Sequence, residues 1–181
     1  AYISENEQLR SGEGLKNIWL KPGATPQYYP LVFTSFWLEY QLWGNHPAGY
    51  HVINLLLHTS SALLLWRLLI LLSVPGAGLA ALIFLIHPVN VESVAWITER
   101  KNTLSGLFYL ASLTFYLRFL QIEHLPSSPK KKVPKNNNGL LYILSLTSFL
   151  MALFSKTVTC TLPAVILLII WWKKDHIKLK D

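Results

Sequence analysis

Long apolar runs separated by short polar stretches fill the chain after residue 48, and they predict a bundle of membrane helices. Residues 49–72 (GYHVINLLLHTSSALLLWRLLILL) form the clearest run. At 1.5 Å per residue it is long enough to cross about 30 Å of hydrocarbon. The turn signal Ser73-Val74-Pro75-Gly76 ends it. Residues 77–86 are equally apolar but number only ten, which predicts either a short span or a re-entrant piece. Three further helices are expected over residues 102–120, 139–154 and 158–172. Pro163 falls in the first turns of the last, where few helical hydrogen bonds are lost. The expected fold is all-α: a polytopic membrane helix bundle of about five transmembrane segments over residues 48–172.

Residues 1–47 follow a different pattern. They hold nine aromatic residues, among them Trp19, Phe33, Phe36, Trp37 and Trp43, and the nearly apolar stretch 31–43 is too short to cross a bilayer. Tyr and Trp favour the boundary between water and lipid, so one or two interfacial helices are expected there. This segment is extracytoplasmic if residues 77–86 span and cytoplasmic if they are re-entrant. Composition agrees with a membrane solvent, since 52% hydrophobic residues and a mean hydropathy of +0.35 exceed what a soluble domain of 181 residues carries. The chain begins at Ala1 without a methionine or a charged leader, so it reads as a fragment of a larger protein. Its one cysteine, Cys160, permits no internal disulfide and is expected to be a core thiol.

Charge orients the bundle. The net charge of +7 is concentrated in the stretch PSSPKKKVPKNNN (residues 126–138) and in the tail, where Lys173, Lys174, Lys178 and Lys180 lie. By the positive-inside rule the loop 121–138 and the tail 173–181 are cytoplasmic, and residues 87–101, one crossing away, face the opposite side. Membrane orientation thus accounts for the basic balance, and no nucleic-acid module, phosphate-binding Gly-rich loop, metal-ligand spacing or nucleophile elbow is present to suggest otherwise.

Candidate chemistry concentrates in HPVNVESVAWITERKN, residues 87–102. Asn90 can cap a helix that begins at Val91. At 3.6 residues per turn Glu92, Trp96 and Glu99 would then share a face, with Arg100 and Lys101 closing the helix into the membrane. A carboxylate can take a proton from a hydroxyl and an Arg-Lys pair can hold a phosphate, which suits transfer from a lipid phosphate. The structural reading of the same residues is that Glu92 satisfies backbone amides while Arg100 and Lys101 snorkel to headgroups. His51, Asn54, His58 and Ser61 recur at i, i+3, i+7 and i+10 on the first long helix, a polar stripe that either bonds neighbouring helices or lines a cavity. No metal site is expected from it, because its histidines come without further ligands.

Three stretches carry a family resemblance: YYPLVFTSFWLEYQLWGNHPAGYHVINLLLH, HPVNVESVAWITERKNTLSGLFYLASLTFYLRF and FSKTVTCTLPAVILLIIWW. In that order they resemble the membrane half of the transmembrane and tetratricopeptide-repeat-containing proteins, O-mannosyltransferases assigned to the GT-C class of glycosyltransferases. The resemblance implies a transferase that uses a polyprenyl- or dolichyl-phosphate sugar, with mannose the expected sugar, as donor and protein Ser or Thr hydroxyls as acceptor. It favours residues 77–86 as a true span and residues 1–47 as the first outer loop. For such a transferase the residues singled out above take expected roles: Glu92 and His87 as catalytic residues that shape the site, Arg100 and Lys101 as the lipid-phosphate cradle, and His51, Asn54 and His58 as cavity lining. The acidic residue that serves as base in this class would fall upstream of residue 1, so this segment alone is expected to be inactive. The competing expectation is a non-catalytic membrane anchor for a repeat scaffold. A bacterial inner membrane is the expected location, with the endoplasmic reticulum as the alternative.

Overall fold

The computed structural model describes residues 2–120 and 138–174, and the described residues are helical without strands. Residues 121–137 and 175–181, which carry most of the orienting lysines, lie outside the described residues. Eight α-helices are present among the described residues: α1 (Gly12–Leu20), α2 (Pro30–Trp43), α3 (Pro47–Leu71), α4 (Ala77–Ile86), α5 (Val89–Ala95), α6 (Arg100–Phe119), α7 (Asn138–Ser155) and α8 (Leu162–Lys174).

Local chemistry sets the boundaries. Proline occupies the first turn of α2 and of α3, where its missing N–H costs nothing. Ser73 and Gly76 adopt positive φ between α3 and α4, making the tight reversal that the turn signal predicts. The sequence His87-Pro88 stops α4, because proline biases the residue before it away from helical geometry. The chain then resumes as α5 at an angle of 58° to α4.

That break sits at a defined height on α3. Nε2 of His58 donates to the Leu85 carbonyl at 3.1 Å, and Asn54 donates to the carbonyls of Val94 and Trp96. The α4–α5 pair therefore climbs α3 from its C-terminal end to its second turn. Residues 87–101 and residues 2–47 consequently gather at the same end of the bundle, where Leu9, Ile18, Val32, Phe33, Phe36, Tyr50 and Leu104 form one buried cluster. A second cluster toward the other end joins Leu68, Leu72, Leu113, Leu117, Leu162, Ile166 and Ile170 from α3, α6 and α8. Between them α6 and α7 approach closely through two serines: Ser112 Oγ donates to the Ser145 carbonyl at 2.9 Å and Ser145 Oγ to the Ser112 carbonyl at 3.0 Å. Small hydroxylated residues are the usual means of bringing helices together where water supplies no driving force.

Among the described residues α3 is long and apolar enough to cross a membrane, and the bent α4–α5 pair passes the same measure as one broken span. The helices α7 and α8 are apolar but shorter, and α6, although 20 residues long, is less apolar, with Asn102, Thr103, Ser105 and Arg118 among its residues. Cys160, expected in the core, is exposed, because residues 157–161 form a 3-10 turn that faces outward before α8 begins.

The N-terminal layer is tightly fitted. A Cβ placed on Gly14 would stand 2.0 Å from the Gln8 carbonyl oxygen, which belongs to the backbone and cannot yield without moving the preceding turn. Gly14→Ala is expected to destabilise this layer by roughly 1–3 kcal/mol. Limited proteolysis of the purified protein reads the effect as faster cleavage within residues 2–29, with the bundle fragments left intact.

Candidate functional site

At the end where the loops gather, Arg100 opens α6 and turns its side chain into the protein. It is 0% exposed. Both guanidinium faces are engaged: Nη1 and Nη2 donate to the two carboxylate oxygens of Glu39 from α2, Nη2 also donates to the Tyr50 carbonyl at 3.0 Å, and Nε donates to Oδ1 of Asn54. Phe36 places its ring 5.1 Å beneath the guanidinium carbon. Burial pushes the Glu39 carboxyl above its ordinary range, and the hydrogen bonds and charge of Arg100 oppose that rise. A cation in the first turn of a helix is unfavourable beside the positive helix end. The Glu39 carboxylate offsets that repulsion and ties α2 to α3 and α6.

This arrangement departs from the rim position expected for Arg100. Its donors are consumed inside the protein, and a phosphate cannot reach them without displacing Glu39. Lys101 is half-buried at the surface and pairs with Glu99 at 3.2 Å. The continuous helix expected from Val91 to Lys101 does not form: α5 ends at Ala95, Trp96 is extended and a 3-10 turn follows, so Glu92 and Glu99 share no helical face. Nor does Asn90 cap. It lies inside α5, and its Nδ2 donates at 2.7 Å to the Phe84 carbonyl, one of the acceptors that α4 leaves unpaired where Pro88 breaks it. His58 satisfies the next one, at Leu85. His87 and Glu92 are both exposed, and Nδ1 of His87 accepts from the Val89 amide at 3.2 Å.

The polar stripe on α3 divides. Asn54, His58 and Ser61 are buried toward the neighbouring helices, whereas His51 is exposed. His58 and Ser61 border a cavity of about 300 Å³, which continues past Asn90 and Ser93 to Asn102 and Tyr109. His58 and Asn90 also border a second cavity of about 390 Å³ whose remaining walls, including Leu55, Leu85, Val91 and Val94, are chiefly apolar, with His87 at its margin. On the other side of Gly106 a third cavity of about 260 Å³ reaches Lys156 and Thr161. Shared lining residues set the three side by side as one divided cleft beside the segments on which the candidate residues lie. Glu92 borders none of its parts.

Two participants were absent from the sequence reading. Glu39 gives no local signal, since it is a single acid in an otherwise apolar stretch; that isolation was the available clue, because an unpaired carboxylate among buried aromatics requires a cation. Lys156 likewise stands alone between two apolar helices, and its Nζ donates to Oδ1 of Asn102 at 2.6 Å.

Comparison with known proteins finds several relatives named as protein O-mannosyl-transferases. The protein O-mannosyl-transferase F38B6.6 of Caenorhabditis elegans is 35% identical over 108 residues, covering 53% of this chain and 15% of that protein. The mouse protein O-mannosyl-transferase TMTC4 is 32% identical over 139 residues, covering 63% of this chain and 19% of its own length. The Xenopus laevis protein O-mannosyl-transferase tmtc2 is 38% identical over 98 residues, covering 53% and 12%. The chain thus spans under one fifth of the length of each of these relatives. No family model and no solved structure matches it. By these matches the chain is related to the transmembrane and tetratricopeptide-repeat-containing protein O-mannosyl-transferases.

Proposed function

We propose that this chain forms part of a membrane glycosyltransferase that moves a mannosyl group from a polyprenyl- or dolichyl-phosphate donor to a Ser or Thr hydroxyl of a protein. The observation that carries the proposal is the relation to several proteins named as protein O-mannosyl-transferases, over more than half of this chain. The bundle supplies supporting detail. Leu55, Leu63, Ile70, Leu79, Leu82, Ile83 and Leu168 are each about half or more exposed on its lateral faces, a surface suited to lipid rather than water. In this reading the chain makes five crossings, with α4–α5 counted as one broken span, and residues 1–47 and 87–101 face the extracytoplasmic or lumenal side, which their gathering at one end of the bundle supports. The animal source of these relatives supports the endoplasmic reticulum over a bacterial inner membrane.

In this reading the acceptor approaches the exposed rim formed by His87 and Glu92, whose side chains are open to a hydroxyl-bearing segment. Arg100 has a positioning role, because it locks α2 and α3 to the start of α6 and so fixes the cleft walls. A cation elsewhere in the cleft must therefore meet the donor phosphate.

The test is transfer from labelled dolichyl-phosphate mannose to protein in membranes that express the full-length gene. Glu92→Gln is expected to lower kcat/KM for the acceptor about tenfold with little change in donor KM, as removal of a charged contact to the acceptor would. Absence of transfer by the full-length protein would overturn the reading, and unchanged turnover in Glu92→Gln would remove that residue from the site.

A further inference from the structure

We propose that Lys156 is the headgroup anchor for a membrane lipid phosphate ester, seated in the cleft between α6 and the 3-10 turn of residues 157–161, with the apolar chain directed along the groove beside α3 and α4–α5. The inference deepens the transferase reading and rests on it, since that reading supplies the lipid donor.

The case begins with charge. Lys156 is half-buried, and among the described residues no carboxylate stands within ion-pair distance of its ammonium. Its hydrogen bond goes to the neutral amide of Asn102. The nearest acid along that network, Glu99, accepts from Asn102 Nδ2 at 2.6 Å and is already paired with Lys101. A partly desolvated ammonium with one of three donors used is held ready for an anion.

The surroundings select a phosphate ester. Ser105, Tyr109, Thr159 and Thr161 border the same cavity as Lys156 and Asn102, and no carboxylate lines it, since Glu99 is held behind Asn102 by that amide and by Lys101. Asn102, Gly106 and Tyr109 border the adjoining cavity as well. From there His58 and Asn90 lead into the part walled by Leu55, Val91 and Val94. The cleft thus grades from an ammonium through hydroxyl and amide groups to aliphatic walls, which is the polarity of a lipid with a phosphate at one end. Free phosphate fits the first part alone and has no use for the last.

The experiment measures equilibrium binding of labelled dolichyl phosphate to the full-length protein in a neutral maltoside detergent, with dolichol and inorganic phosphate as competitors. Wild type is expected to bind the label saturably. Dolichol should compete at least about tenfold more weakly than unlabelled dolichyl phosphate, and inorganic phosphate at matching concentration should not compete. Lys156→Gln is expected to weaken binding about tenfold or more, as loss of a charge-assisted contact does, while Lys156→Arg stays close to wild type. A second variant guards against misfolding: Thr161→Glu puts a carboxylate on an exposed residue of the same cleft and should weaken binding with the melting temperature unchanged. Equal affinity in wild type and both weakened variants would overturn the anchor. Displacement by inorganic phosphate at matching concentration would overturn the lipid source. Because binding is read without turnover, failure here is distinguishable from failure of the transferase reading, which the transfer assay alone decides.

Discussion

Replacing Glu39 with alanine is expected to destabilise the protein by about 3–5 kcal/mol, the cost of leaving a buried charge without its partner. Arg100 is 0% exposed, and Asn54, the Tyr50 carbonyl and Phe36 hold its guanidinium in place when Glu39 is gone. Asn54 and the carbonyl retain their hydrogen bonds after the change, but neither carries the negative charge that offsets the guanidinium. Glu39→Gln keeps the shape and one acceptor, so its cost should fall between alanine and wild type. The double variant Glu39→Met/Arg100→Met removes both charges and should lie nearer wild type than either Glu39→Met or Arg100→Met alone. Thermal denaturation of wild type, these two single variants and the double variant in detergent closes the cycle. Additive losses would mean that the two side chains do not act as a pair. Because the pair joins α2 to α3 and α6, Glu39→Ala should also free residues 2–47 for proteolysis before the bundle unfolds.

The bundle was legible in the sequence because apolar runs are a one-dimensional signal. Residues 49–72, 77–86, 102–120 and 139–154 each reappear as a helix with ends shifted by at most two residues. The last run, 158–172, is shortened by the 3-10 turn that precedes α8. The failures cluster in residues 87–101, where two readings of one string compete. Helical periodicity joins Glu92 to Glu99 on one face, but the chain gives up that helix at Trp96, and Asn54 takes the Trp96 carbonyl that the break leaves free. A contact across 42 residues decided the local structure, and no window of neighbouring residues contains it. The same holds for the site. The stripe of Asn54, His58 and Ser61 was visible from its spacing, whereas Glu39 and Lys156 were not, because each acquires meaning only from a partner far along the chain. Arg100 shows the cost of reading a cation by position alone: at the start of a membrane helix it looked like a headgroup ligand, and a carboxylate 61 residues earlier turned it inward.

Gly106→Phe is expected to abolish both dolichyl-phosphate binding and sugar transfer while leaving the protein at least as stable as wild type. Gly106 lies in the middle of α6, on the wall shared by the polar cavity and the cavity that holds Lys156. A Cβ built there meets nothing within 4 Å, so a side chain can leave the helix at this position without its first atom striking a neighbour. Glycine inside a helix costs roughly 0.5–1 kcal/mol relative to alanine, so Gly106→Ala should raise the melting temperature slightly and retain binding, since a methyl group narrows the passage without closing it. Phenylalanine at the same position projects a ring across the junction that joins the ammonium end to the aliphatic end. A phosphate headgroup could then still reach Lys156, but the chain attached to it could not follow the groove. The two substitutions therefore separate stability from passage at one residue. Binding of dolichyl phosphate that survived Gly106→Phe would show that the lipid does not run through the cleft, and the three cavities would then serve separate purposes.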